Sequence, residues 1–587
     1  MILGALVDYY EILAKAGEIS KPGYSISKVS YALNLTPAGE LIGVLPLKVE
    51  VERGKKKIEI AQQLEVPEQE KRAVGIIANF LCDNSSYVLG VDSKGKADRT
   101  KLCFEAFKTL HHKVMDGLDT IEAKAVLKFL DEWKPDQYKV CEVISDFREE
   151  LISGANIIFN VIGIGYVHES SSVRKAWETY KGSTDASVQM QCLATGEMGP
   201  VARLHPSIKG VRNAQPMGVS IVSFNERSYE SYGRGKQQGL NAPVSEYATF
   251  AYATALNHLL ADGGNKQFFG DTTVVYWAKS SKRIYQDIFE FALNPVDSEK
   301  ESADKKTEGL IEEVFRKVVR GEPIDTASDS IDPDTRFYIL GLAPNAARLS
   351  IRFFMENSFG NILKNIIKHY SNLEIIRGQS EYEYLPLWKL LSETVSPKSK
   401  DKSSSPLLSG AVLRSIFSGT LYPEALYNSV ILRIRAERDI SRGKAAIIKA
   451  CLIRKQITNY KEELTVSLNE QSENKAYILG RLFAVLEKAQ QDANPGITTT
   501  IKDRYFTSAC ATPASVFPIL LRLSNHHTAK SNYGHVSERK KSDLIGKLDV
   551  SDDPFPAHLN LDEQGIFILG YYHQQKTNFM KKIKEEQ

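Results

Sequence analysis

Apolar and polar residues alternate in "KVSYALNL" and "LIGVLPLKVEVE", the pattern of half-buried strands, and the intervening "TPAGE" predicts a hairpin with Gly39 at its turn. "GKKKIEIAQQLEVP" continues in strand style, and from Lys101 to about Leu130 the spacing becomes helical. "NIIFNVIGIGYVHE" (156–169) reads as a short buried strand. "VSIVSF" (219–224) and "TTVVYWA" (272–278) predict strands on either side of a helix, "SEYATFAYATALNHLLA" (245–261). Pro243 and Ser245 are its entry signals, and Gly263-Gly264 its stop.

After about residue 295 the pattern changes. Lys300 to Arg336 is charged and helix-friendly, broken by "GEPIDTASDSIDPDT". "RFYILGLAPNAARLSIRFF" returns to strand-like residues and then a basic helix, and "SPKSKDKSSSP" (396–406) is the clearest linker. Residues 411–587 are mostly helical: in "NKAYILGRLFAVLEKAQQDA", Tyr477, Leu479, Leu482, Phe483 and Leu486 form one stripe, best read as a packed core face. No repeat of roughly 20–50 residues is evident. The fold class expected is α+β: a mixed α/β N-terminal region with antiparallel strands, then a C-terminal helical bundle. The expected divisions are 1–295, a connecting, partly helical region 296–410, and 411–587.

Composition narrows the function classes. The 587 residues suffice for roughly two to four domains, and 42% apolar with 25% charged residues is ordinary for a globular chain. A net charge of +3 means that any nucleic-acid binding must concentrate its cations locally. No apolar run approaches the ~20 residues of a membrane span. "MILGALVDYYEILAKAG" lacks a basic leader and carries Asp8 and Glu11, so it predicts an amphipathic helix, not a signal peptide. The six cysteines include no CxxC pair, which favours reduced thiols in a cytoplasmic protein.

Signatures of chemistry are missing. His111-His112 and His526-His527 are adjacent pairs, which helical geometry points to different faces, and there is no HExxH. "VIGIGYVHE" lacks the third glycine of a dinucleotide fingerprint, and "YGRGKQQG" has no Ser or Thr after its lysine. There is no GxSxG, and Cys103 ahead of His111 is explained as well by a core thiol. No catalytic residue, metal ligand or cofactor is therefore assigned.

Two segments remain. "ILRIRAERDISRGKAAIIKACLIRK" (431–455) holds eight basic residues, among them Arg433, Arg435, Arg438, Arg442 and Lys444, against Glu437 and Asp439. As a helix it offers a basic face for phosphates, or simply a solvated one. Residues 55–57, and Arg348 with Arg352, repeat the signal more weakly. The second, "VRNAQPMGVSIVSFNERSYESYGRGKQQGLNAPVSE" (211–246), carries six amides (Asn213, Gln215, Asn225, Gln237, Gln238, Asn241) on a glycine-rich frame without Asp, His or Cys. Amides read base edges, and the glycines permit close backbone approach; the same amides also cap turns.

"RLHPSIKGVRNAQPMGVSIVSFNERSYESYG", "QQGLNAPVSEYATFAYATALNHLL", "NFLCDNSSYVLGVDSKGKADR" (79–99), "RSIFSGTLYPEALYNSVILRIRAERD", "YFTSACATPASVFPILLRLSNHH" and "FPAHLNLDEQGIFILGYYHQQ" together resemble the large subunit of the type I-C (Dvulg subtype) CRISPR Cascade complex. The resemblance runs essentially end to end. It implies a non-enzymatic subunit of an RNA-guided surveillance complex, in which guide pairing reads sequence and protein reads a short flanking motif on duplex DNA. It also implies opening of the duplex, retention of the displaced strand and docking of a helicase–nuclease. The partners implied are double-stranded target DNA, a crRNA-containing assembly with backbone and crRNA-processing subunits, and a small subunit made by internal translation. On this reading 1–295 recognises DNA and 466–587 resembles that small subunit, with Val466 or Leu468 as candidate starts. Asn213, Gln215, Asn225, Gln237, Gln238 and Asn241 would supply motif contacts or a strand-separating wedge, while Lys209, Arg212, Arg234 and Lys236 would grip phosphates. Asn79, Asn84, Lys94 and Lys96 form a second candidate site. The rivals are a metal-dependent nuclease with a scattered site and a purely structural ribonucleoprotein scaffold.

Overall fold

The computed structural model describes residues 2–53, 56–69, 72, 75–94, 97–183, 188–231, 233–261, 263–293, 317, 331–378, 381, 384–400, 404–455, 463–548 and 553–585. Contacts divide the chain into two compact units: Met1–Pro206 with Val222–Leu256, and Ser207–Ile221 with Asn257–Gln587. The fold is α+β, with sheets up to residue 358 and helices thereafter.

In the first unit, helix α1 (Ile2–Ala16) buries Leu6, Tyr9, Tyr10 and Leu13, a stripe at helical spacing. Strands β1 (Tyr24–Val29), β2 (Tyr31–Leu35), β3 (Leu41–Pro46), β4 (Lys48–Arg53), β5 (Lys56–Pro67), β6 (Asp83–Asn84), β7 (Asn156–Val161) and β8 (Gly165–Tyr166) build two sheets. One is β1-β5-β4; the other runs β3-β2-β7-β6, with β8 on β7. The β2–β3 hairpin turns where the sequence placed it, at Gly39. β2 and β7 are parallel, Leu33 opposite Phe159, which requires the long crossover that carries helices α2 (Ala97–Met115) and α3 (Ile121–Glu132). Phe107, Phe129, Phe159 and Trp177 fill the core.

Helix α4 (Glu246–Ala261) starts at Ser245, whose hydroxyl accepts the Ala248 N–H at 3.2 Å. The expected strand "VSIVSF" does not form. Val219 and Ser220 make single bridges, to Ile208 and Arg348, and the following residues have no strand partner among the described residues.

The second unit holds an antiparallel sheet in the order β9 (Lys266–Phe269), β10 (Thr272–Ala278), β11 (Arg336–Asn345) and β12 (Arg348–Ser358). "RFYILGLAPNAARLSIRFF" is thus a hairpin, and Arg348 and Arg352 stand on a strand rather than on the basic helix expected there. Each half carries two aromatic residues and an isoleucine among other apolar side chains, and the paired ladder satisfies both backbones. Helices α5 (Ile284–Leu293) and α6 (Phe359–Leu373) pack on this sheet. The division at 295 does not coincide with the contact division, because β10 and β11 flank that position and share one ladder. The linker 396–406 likewise joins parts of one core: α7 (Pro406–Ser418) packs on α6 and β12. Its residues 401–403 lie outside the described residues.

The remaining helices include α8 (Glu424–Glu437), α9 (Arg442–Arg454), α10 (Lys475–Ala493) and α11 (Leu561–Glu585). α10 and α11 approach so closely that a methyl at Gly480 or Gly570 would collide with the other helix's backbone. Tyr477, Phe483, Phe506, Phe567 and Tyr571 pack there.

Candidate nucleic-acid interface

The amide-rich stretch divides between the units: residues 211–221 belong to the second and 222–246 to the first. In the second unit, Ile208 and Val219 exchange backbone hydrogen bonds at 2.8 and 2.9 Å and close a loop, Lys209–Gly218. Ile208, Val211 and Val219 are buried anchors. Asn257 Oδ1 accepts the Lys209 N–H at 2.8 Å, and its Nδ2 donates to Ser207 O at 3.0 Å; Thr273 Oγ1 accepts the Arg212 N–H at 3.1 Å. Gly218 has φ +94°, and a Cβ there would stand 2.7 Å from Ser207 Cβ, so only glycine fits.

Against this anchored backbone the outward side chains are those predicted for DNA contact. Lys209, Arg212, Asn213 and Gln215 are all exposed, and neighbouring Met217 is 83% exposed. Asn213 sits at φ +61°, in the left-handed region that asparagine tolerates better than most residues. The Arg212 guanidinium lies 5.7 Å from the centre of the half-exposed Phe268 ring. Residues 207–221 contain no carboxylate.

The first-unit part of the stretch is mainly self-bonded. Asn241 is 8% exposed; its Oδ1 accepts the Ser231 N–H at 2.8 Å and its Nδ2 donates to Gln238 O at 2.9 Å. Gln238, at φ +39°, accepts from Arg203 at 3.0 Å, and Arg234 donates to Leu240 O. These three side chains knit the 3₁₀ segment Gly235–Asn241. Asn225 is exposed. The side chains of Lys236 and Gln237 lie outside the described residues.

At the second predicted site the amides also serve the fold. Asn79 is 4% exposed and donates to Gln69 at 3.2 Å, while Asn84 caps a short helix by accepting the Ser86 N–H. Arg72 pairs with both oxygens of Asp83, and Leu81, at φ +56°, donates its N–H to His111 Nε2 at 3.0 Å. Burial holds the His111 imidazole at about 3, hence neutral, with Nδ1 donating to Phe107 O. Lys94 is exposed, and Lys96 lies outside the described residues.

The basic run 431–455 is not one solvated face. Lys444 is 3% exposed, with Nζ 2.6 Å from Glu437, and Arg442 is buried. Arg433 lies 3.4 Å from Glu437, and Arg435 donates to Gln564. Arg438, at φ +55° where α8 ends, is exposed. Eight cations fit because α8 and α9 pack together and bury several stems and heads against carboxylates and carbonyls, which periodicity alone does not reveal.

The hairpin tip Asn345–Arg348, which sequence reasoning did not single out as a unit, adjoins the amide loop: Ser220 N–H donates to Ala347 O at 3.2 Å, and Leu349 N–H donates to Ser220 O at 3.0 Å. The only hint in the sequence was Arg348 with Arg352.

Among the described residues no group of three or more His, Cys, Asp or Glu is arranged to hold a metal ion. No described helix is long and apolar enough to cross a membrane. The cysteines are free, all but Cys141 buried.

Along nearly its whole length the chain is similar to one class of protein, the CRISPR-associated proteins. Residues 6–579 match the family described as CRISPR-associated protein (Cas_Csd1), and the chain belongs to that family. No curated protein matches it.

Proposed function

We propose that this chain is the non-catalytic large subunit of a type I-C Cascade complex, reading the flanking motif of duplex DNA, helping to part the strands, retaining the displaced strand and docking the helicase–nuclease. The observation that carries the reading is the loop Lys209–Gly218: two exposed cations and two exposed amides on a backbone anchored at both ends, with no carboxylate. Cations there hold phosphates, and amides can read an A·T acceptor pattern. Membership of a CRISPR-associated family supports a place beside guide RNA, backbone subunits and a crRNA-processing subunit. The small subunit would be a second product of the same gene, starting near Val466 or Leu468; mass spectrometry of the complex should find that short C-terminal chain.

The test is competition binding by the assembled complex. With the Asn213→Gly, Gln215→Ala double variant, discrimination between motif and non-motif duplex should fall by about 1–3 kcal/mol per lost base contact. Equal loss on both duplexes would leave only a scaffold or a non-specific binder. Cleavage of DNA by the isolated chain with Mg²⁺ or Mn²⁺, abolished by chelation, would refute the non-catalytic assignment.

A further inference from the structure

We infer that the β11–β12 hairpin tip, Asn345-Ala346-Ala347-Arg348, is a second contact element for the same duplex as the loop Lys209–Gly218; the inference rests on the DNA-binding reading above. Asn345 pairs with Arg348 in the ladder, so the chain reverses through Ala346 and Ala347 alone. Asn345, Ala346 and Ala347 are exposed. Ala346 has φ +52°, a left-handed position where glycine would be relaxed and a Cβ is strained. Residues held in such strained conformations gather at ligand-contacting surfaces. Asn213, on the neighbouring loop, is held in the same way.

The two elements are coupled through Ser220, which follows the loop-closing Val219 and bonds to Ala347 and Leu349 on either side of Arg348. Their combined charge has one sign. In 207–221 and 345–353 the charged residues are Lys209, Arg212, Arg348 and Arg352, with no acid among them. Arg352 is answered by Asp271 at 3.1 Å. Small side chains at the tip allow a phosphodiester backbone to approach closely, and a neighbouring amide, Asn345, adds a donor. A cationic surface with small and amide side chains suits a polyanion of regular shape, and duplex DNA is the partner favoured.

The experiment uses the assembled complex carrying the full chain, with Ala347→Glu and, separately, Arg348→Gln, checked for assembly and melting temperature. Ala347→Glu should weaken motif and non-motif duplex alike, at least about tenfold, because it sets a carboxylate against phosphate. Arg348→Gln should lower the slope of log affinity against log salt by about one. If both bind as wild type while Asn213→Gly still loses motif discrimination, the tip inference is overturned and the DNA reading stands. If the Asn213→Gly, Gln215→Ala double variant is silent as well, the DNA reading itself fails. A photo-crosslinker at Ala347 in otherwise unaltered chain covers the case of a variant that does not assemble. Crosslinks to target DNA support the inference, and crosslinks solely to guide RNA or protein overturn it.

Discussion

Ser220 and Arg348 face each other across a parallel bridge, with Ser220 N–H donating to Ala347 O at 3.2 Å and Leu349 N–H donating to Ser220 O at 3.0 Å. This pair of bonds ties the amide loop to the edge strand of a four-stranded sheet. Ser220→Pro removes the donor and should loosen the loop while costing only about 1 kcal/mol of global stability. Hydrogen exchange should then speed up within 209–218 and leave the sheet protected. Unchanged exchange there would show that the Ile208–Val219 closure suffices.

The left-handed backbone at Asn213 separates two roles that alanine substitution confuses. Asn213→Gly keeps the conformation and removes the amide; Asn213→Ala removes the amide and adds backbone strain of roughly 1–2 kcal/mol. If the amide reads a base, both should lose motif discrimination to a similar degree, with only Asn213→Ala also lowering the melting temperature. If the residue only shapes the loop, Asn213→Gly should bind as wild type.

Two cations from one basic run should behave oppositely. Lys444→Ala removes the nearer of the two cations on Glu437, leaving only Arg433 at 3.4 Å, and should destabilise the fold by up to about 3 kcal/mol, read as a lower urea midpoint. Arg438 is exposed at φ +55°, so Arg438→Gly should leave stability unchanged or raise it. A salt slope lowered by about one in Arg438→Gly would place a phosphate at this residue, and an unaltered slope would remove it from the interface.

Burial holds the imidazoles of His111, His369 and His573 at about 3 and those of His168 and His205 at about 4. The unfolded chain protonates them below its ordinary value near 6.5, and the folded chain does not until far lower, so protons favour unfolding. Stability should therefore be full above pH 6.5 and decline as the pH falls toward 4, each imidazole adding up to about 1.4 kcal/mol per pH unit. Thermal unfolding between pH 7.5 and 5 checks the sign. His111→Leu should flatten the slope while lowering stability at pH 7.5, because Leu81 N–H loses its acceptor.

Much of the secondary structure was legible along the chain because its causes are local. Alternation marked β2 and β3, the Ser245 hydroxyl marked the start of α4, and the apolar stripe from Tyr477 to Leu486 marked α10. Where local preference and long-range pairing diverged, the reading failed: "VSIVSF" has strand residues but only two single bridges, and the arginines of "NAARLSIRFF" stand on a strand.

By itself, then, the sequence determined the α+β class, the positions of most elements, the missing catalytic signatures and the motifs that tie it to a CRISPR-associated family. Only tertiary structure decided which polar groups face outward. Asn213 and Asn241 are the same residue type in the same stretch, yet one is exposed on an anchored loop and the other is buried holding a turn together. Lys444 and Arg438 divide likewise, and Ala347 meets Ser220 across more than a hundred residues of chain. Local pattern follows from neighbours along the backbone, whereas an amide or a cation gains its role from whichever distant groups take up its hydrogen bonds, and those are set when each unit folds.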